Sequence, residues 1–365
     1  MTATSDQYRY VPDYALPPGE TLVEVLAERG MKQAELARRT GLSTKHINQI
    51  VLGTASLSAE TALRLERVTG VPAQVWTELE GDYQVARTRR EELARLESHV
   101  EWLRTFPVDE LVRRGYVRRD ISAVERLRDV LSFFKVATPD AWQQVWALPT
   151  AYRRSQAFEV EYSALASWLR IGEIRADQLD LQTFDRAKFR ASLSAIRELT
   201  VVEDPAAWLP VLERLCAEAG VALVIEPEIK GARIHGAVRW LPSERPLIQL
   251  SLRYRWADIF WFTFFHEAGH ILLHDRKRLT FVDVVDPAQT DDTMEREADD
   301  FAGRVLLPRA FDDQLMRTRS RTQVLAVARE AGVHPGVVVG RLQHDGRIPF
   351  SHLNGLRIRF RFAES

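Results

Sequence analysis

The sequence predicts a mostly helical α+β protein, with a helical N-terminal module, a helical connector and a C-terminal domain of helices around a small β-sheet. Three observations carry this. Apolar residues recur at spacings of three and four over most of the chain, as in Val124-Leu127-Leu131-Phe134 and Leu165-Trp168-Leu169. Short apolar runs of strand character are confined to a window near residues 221–251 and to the tail. The length, 365 residues, suits two or three domains at roughly 150 residues each. The expected division is a loose arm over 1–18, a helical domain over 19–95, a helical connector over 96–200 and the α+β domain over 201–365.

The elements follow in order. Residues 1–18 are polar and carry Pro12, Pro17 and Pro18. Residues 20–70 show short helical patterns broken by Gly30, Gly41, Gly53 and Gly70. Pro72 suits the first turn of a new helix, running through Trp76 into the charged stretch Arg87–Arg95. The helical period continues through residues 95–220, punctuated by Pro139, Pro149, Pro205 and Pro210. Near residue 221 the period changes: Val221–Ile225, Ile234–Trp240 and Leu247–Ser251 read as strands. Helical patterning resumes at Trp256 and runs to about Leu342, and Leu356–Phe362 alternates as a final strand with one basic face.

Composition narrows the function classes. Hydrophobic residues at 45% and charged residues at 28% exclude a disordered chain. The single cysteine, Cys216, excludes an intramolecular disulfide framework and a Cys-cluster zinc site. Met1 to Gly19 lacks an apolar h-region, so no secretory signal and a cytoplasmic location are expected. With 50 Lys+Arg against 51 Asp+Glu, any case for nucleic acid must be local.

Residues 33–52 make that local case. A helix-turn-helix needs a small residue where its two short helices touch, which Ala37 supplies, and a turn residue that tolerates positive φ, which Gly41 supplies. Ser43 is an N-cap for the second helix, and Ile47 and Ile50 anchor it. Arg29, Lys32, Arg38, Arg39 and Lys45 stand against Glu35 alone, a local charge that fits phosphate contact. Thr44, Lys45 and Asn48 are expected at base edges beside Ser43, with Gln33 and Arg38 as backbone clamps. The competing reading is a protein-contact module of the same shape. Together with Pro18-Gly19-Glu20, Leu57–Leu65 and Trp76, this segment resembles a HigA-type antitoxin domain of the XRE helix-turn-helix class. The resemblance spans residues 19–90. It implies a five-helix fold, homodimers on double-stranded operator DNA, autorepression and room for a toxin partner.

The second constellation is His266-Glu267-Ala268-Gly269-His270, an H-E-x-x-H pattern. Residues four apart on a helix share a face, so two imidazoles grip one metal while the intervening Glu addresses the water there. The flanks, Ile259–Phe265 and Ile271–Leu273, are apolar all round, which predicts a buried helix. Burying two His and a Glu without partners costs ~1–3 kcal/mol for each unsatisfied group, a cost that a bound cation removes. A membrane span fails because Asp258 and the His-Glu-His set interrupt the ~20 apolar residues a bilayer needs. In Met294–Pro308, Met294, Ala298, Phe301, Ala302 and Val305 make an inward helical face. Glu295 and Asp299 flank it on one side and Glu297 on the other. Glu295 is the expected third ligand, Asp299 the partner of a liganding His, and Glu297 the fallback ligand.

Trp261–His274 followed by Glu295–Pro308 resembles the ImmA/IrrE family of metallopeptidases over roughly residues 200–350. That resemblance implies a zincin-like, zinc-dependent domain that cleaves helix-turn-helix repressors, with His266, His270 and Glu295 as ligands and Glu267 as general base. Asp299 stands where the family often has Asn. His274 lies too close to His270 for a third metzincin ligand and is expected to cap the helix or donate to a ligand. His235 reads as a solvated surface group in preference to one that polarises a carbonyl. Residues 326–342 resemble a second helix-turn-helix without a basic patch, for which packing is the expected role. The combined expectation is a DNA-binding regulator fused to a zinc metalloendopeptidase acting on a protein substrate. The alternative is a non-hydrolytic antitoxin-like transcription factor whose zinc site senses a ligand or is structural.

Overall fold

The structure is a computed structural model and describes residues 16–146, 156–232, 234–251, 255–274 and 292–360. It is dominated by helices and carries one small three-stranded sheet, an α+β arrangement. The chain divides into two compact units, Met1–Glu101 with Asp120–Arg128 and Trp102–Arg119 with Asp129–Ser365.

The first unit holds α1 (Pro18–Glu28), α2 (Gln33–Thr40), α3 (Thr44–Val51), α4 (Ala59–Thr69) and α5 (Ala73–Glu97). Its boundaries are written in the local sequence. Gly41 closes α2 in the left-handed region at φ 71°, and Ser43 caps α3 by accepting the His46 N–H at 3.1 Å. Ser58 caps α4 in the same way, and Gly70 ends it. Pro72 stands at the N-cap of α5, one residue before the expected first turn. Leu22, Leu36, Ile47, Ile50, Leu65 and Trp76 are buried together as the core.

Further along lie α6 (Val108–Arg113), α7 (Ala123–Phe133), α8 (Pro139–Val145), α9 (Gln156–Ala176), α10 (Arg186–Glu198) and α11 (Pro205–Glu218). Pro149 lies outside the described residues. The sheet follows with β1 (Ala222–Ile225), β2 (Gly236–Leu241) and β3 (Arg245–Leu250), in the order β1-β3-β2. β1 runs parallel to β3 with Leu223 opposite Ile248, and β2 antiparallel to it with Val238 opposite Ile248. The expected middle strand thus starts two residues late, because Ile234 and His235 lead into it as coil and bend.

α12 (Ala257–Leu273) and α13 (Asp292–Leu306) come next, then α14 (Asp312–Arg317), α15 (Arg321–Ala331) and α16 (Pro335–His344). Trp208 of α11, Ile248 of β3, Trp261 and Phe264 of α12 and Val338 of α16 share one core. Burial of Val337, Val338 and Val339 leaves the second helix-turn-helix-like segment a packing element.

Two expectations are corrected here. α12 is not apolar and buried on every side: Ile259, Phe262, Thr263 and His266, at helical spacing, form a half-buried stripe that faces a cleft. The tail is not a strand of the sheet. Its described part makes a single antiparallel bridge, Trp256 to Arg359. Arg357 turns inward to pair with the buried Asp258 at 2.8 Å, and both Arg357 and Arg359 stack on Trp256. A buried carboxylate outbids solvent for one of the arginines, so the basic face is broken. Residues 361 and 362 lie outside the described residues.

Candidate functional site

The site is built where α12 and α13 touch. Gly269 makes the approach feasible: a Cβ there would lie 3.1 Å from Phe301 and 3.3 Å from the Ala298 Cα. With Ala298 and Ala302 both fully buried on the facing helix, small residues meet small residues and the backbones close up. Glu295, one turn before Ala298, is thereby carried to the histidines.

The three side chains converge. His266 Nε2 lies 3.0 Å from His270 Nε2. Glu295 Oε2 lies 3.2 Å from His266 Nε2, and its Oε1 lies 3.3 Å from His270 Nε2. These three residues form the His/Glu group able to hold a metal ion among the described residues. Four ligands at about 2.0–2.1 Å around a tetrahedral zinc are separated by about 3.3 Å, so the three spacings fit that ion.

The ring nitrogens on the far side are also engaged. His266 Nδ1 lies 2.9 Å from Asp299 Oδ1. His270 Nδ1 lies 3.0 Å from His274 Nδ1, and His274 Nε2 lies 3.1 Å from Glu297 Oε2. The structure thus puts Glu295 among the imidazoles and Glu297 on His274. His274 closes α12 as its C-cap residue.

Electrostatics ask for a cation. Burial presses the His266 imidazole down, but the Asp299 and Glu295 carboxylates outweigh it and lift the group to about 10. Glu267 is buried beside the start of β2, where a Cβ on Gly236 would fall 2.6 Å from its Oε1. Burial raises its carboxyl, His266 opposes and Glu295 adds, giving about 7. A carboxyl poised near neutrality suits a proton acceptor that must also give the proton up. His274 is held below the usual imidazole range by burial and by neighbouring His270.

His235 is exposed at the bend before β2, and its carbonyl accepts the Ser251 N–H at 2.8 Å. In the first unit, Arg38, Thr44, Lys45 and Asn48 are exposed on α2 and α3, and Gln33 is half-buried. The Ser43 oxygen is used in capping but keeps its own hydrogen to donate. Arg39 is tied to Glu35 at 2.6 Å, and of the other cations between residues 29 and 45, Arg29, Lys32, Arg38 and Lys45 are all exposed. Two features escaped sequence reasoning: the apposition of Gly236 to Glu267, and the coupling of Glu297 to His274. The first joins residues 31 apart with no pattern between them. The second had a signal in the position of Glu297 on the opposite flank of α13.

Fold and sequence define a helix-turn-helix protein fused to a peptidase-type domain. Residues 22–76 match the helix-turn-helix family model HTH_3, and residues 230–343 match Peptidase_M78, the IrrE N-terminal-like domain. The chain thus combines a match to the XRE-type helix-turn-helix family in its N-terminal part with a match to the IrrE/ImmA-like peptidase family in its C-terminal part. Over 72 residues it is 38% identical to virulence-associated protein I of Dichelobacter nodosus, covering 20% of this chain and 67% of that one. It is 32% identical to the antitoxin HigA of Pseudomonas aeruginosa, solved with the higBA promoter (23% of this chain, 94% of that chain, TM-score 0.22). It is 27% identical to an addiction module antidote protein of the HigA family from Coxiella burnetii (23% and 92%, TM-score 0.21). No described helix is long and apolar enough to cross a membrane.

Proposed function

We propose that the chain is a cytoplasmic DNA-binding regulator whose C-terminal domain is a zinc-dependent metalloendopeptidase acting on a protein of the helix-turn-helix repressor type. The observation that carries the reading is the convergence of His266, His270 and Glu295 next to the buried Glu267. Zinc held by those three would polarise a scissile carbonyl and acidify a water. Glu267, buried beside His266, would then take the water's proton and return it to the leaving amine. Asp299 holds His266 through Nδ1 so that Nε2 faces the site, and His274 does the same for His270.

The regulator half rests on Gln33, Arg38, Ser43, Thr44, Lys45 and Asn48, on or beside the two helices of the motif, with double-stranded operator DNA as partner. A homodimer and a toxin partner extend the same reading from the HigA-type resemblance of residues 19–90. The test is cleavage of candidate repressors by the wild type beside Glu267→Gln. Cleavage by the wild type alone supports the enzyme. Normal regulation by a wild type that cleaves nothing in its own extract, matched by Glu267→Gln in vivo, selects the non-hydrolytic regulator instead. A cavity beside Asp299 is what favours that second reading, with the metal domain as a ligand sensor.

A further inference from the structure

We propose that the cavity between α12, α13, α16 and the 350–357 loop binds a neutral, largely apolar small molecule, and that its occupancy is felt at His266. The cavity measures about 480 Å³, inside the ~300–1,000 Å³ span of ligand pockets. At ~30 Å³ per water this is the share of about 16 waters, and one Leu or Phe side chain would leave most of it empty. Ile259, Phe262, Leu306, Val337, Trp256 and Phe350 provide the apolar wall. Phe350 is 74% exposed at the rim, where its ring lines the cavity and is open to contact with a ligand.

The charges decide the ligand class. Each Asp and Arg side chain in the lining already has a partner within the protein, and the His344 ring lies 6.2 Å from the Phe262 ring, centroid to centroid. Asp258 pairs with Arg357 at 2.8 Å, Asp345 with Arg341 at 2.8 Å, Asp300 with Arg304 at 2.6 Å and Asp299 with His266 at 2.9 Å. An anion finds no spare guanidinium there and a cation no spare carboxylate, so a charged ligand would break a pair that a neutral one leaves intact.

Two lining residues reach the metal centre. Asp299 holds His266 Nδ1, and the Phe262 ring lies 6.2 Å from the His266 ring, centroid to centroid. A ligand packed on both restrains the orientation of His266 and so couples to metal affinity, with reciprocal effects of ligand on metal and metal on ligand. Nothing in this coupling requires hydrolysis, so it stands or falls apart from the peptidase reading.

The probe is N-phenyl-1-naphthylamine, neutral and fluorescent in apolar surroundings, titrated into the full chain. One saturable site per chain is expected. Phe350→Ala, at an exposed position that spares the fold, and Ile259→Trp, which fills the cavity, should each weaken binding at least tenfold with unchanged circular dichroism. Zinc should shift the probe's affinity, and the probe should shift zinc's affinity by the same factor. Non-saturable binding, or equal affinity in both variants, overturns the proposal. So does equal binding of an anionic naphthalene sulfonate. Displacement of the probe by blocked dipeptides of Leu or Phe at comparable concentration also overturns it, in favour of a substrate side-chain pocket.

Discussion

His274 Nδ1 lies 3.0 Å from His270 Nδ1, and the other ring nitrogen of His274 lies 3.1 Å from Glu297. For His270 to offer a lone pair at Nε2, its hydrogen must sit on Nδ1 and be donated to His274. His274 then carries its own hydrogen on Nε2 and donates it to Glu297. The chain of three side chains sets the tautomer of a residue that is 1% exposed. His274→Ala and Glu297→Gln should therefore lower zinc affinity by about 10–100-fold while leaving the fold intact. Chelator competition on purified protein measures this. Wild-type affinity in both variants would remove His274 from the metal's support.

Removing first ligands is the harsher test. Purified wild type should retain about one zinc per chain, and His266→Ala should lose it. The double variant His266→Ala, His270→Ala that still holds a full equivalent of metal would end the assignment of this site.

The close approach at Gly269 gives a packing prediction. A β-branched side chain there must push against Phe301 and the Ala298 backbone, 3.1 and 3.3 Å from a Cβ. Gly269→Val should cost about 1–3 kcal/mol of stability by overpacking. It should also separate Glu295 from the histidines, so that thermal midpoint and zinc affinity fall together. Gly303→Ala, on the same helix but meeting the Arg341 guanidinium, should spare the metal.

On the DNA side, Lys45→Ala and Asn48→Ala should each weaken operator binding by about 1–3 kcal/mol where they read bases. Arg38→Ala should weaken all sequences alike and flatten the salt dependence. Titration of the full chain against its operator and an unrelated duplex at two salt concentrations separates the two behaviours. Sequence-independent loss for Lys45→Ala would move it from base edge to backbone.

What the sequence made legible were features whose signal is local. Ser43, Gly41 and the two isoleucines define α3 within ten positions, and the spacing of His266 and His270 is itself the geometry of one helical turn. A helical wheel likewise separates Glu295 from Glu297, and the two side chains do diverge, Glu295 toward His266 and His270 and Glu297 toward His274. Illegible were contacts set by how elements meet. Arg357 pairs with Asp258 across 99 positions, and that long-range choice turned an alternating tail into a single bridge. The stripe of Ile259, Phe262 and His266 lost its full burial for the same reason, because which side of an apolar helix borders a cleft depends on its neighbours.

The last prediction separates the two proposed activities. The helix-turn-helix residues and the His-Glu-His set lie more than 200 positions apart in the sequence, and each is built from contacts within its own compact unit. Glu267→Gln keeps shape and nearly keeps volume but removes the proton acceptor, and Glu267 is not among the three converging side chains. It should cut hydrolysis by 10²–10⁴-fold or more, while zinc content and operator affinity stay at wild-type values. Lys45→Ala should do the reverse, releasing the operator while hydrolysis of a supplied protein substrate continues unchanged. Paired measurement of zinc content, operator affinity and cleavage on both variants decides it. Loss of operator binding in Glu267→Gln, with zinc retained, would show that the two units are coupled and that the peptidase domain acts on the DNA-binding state of its own chain.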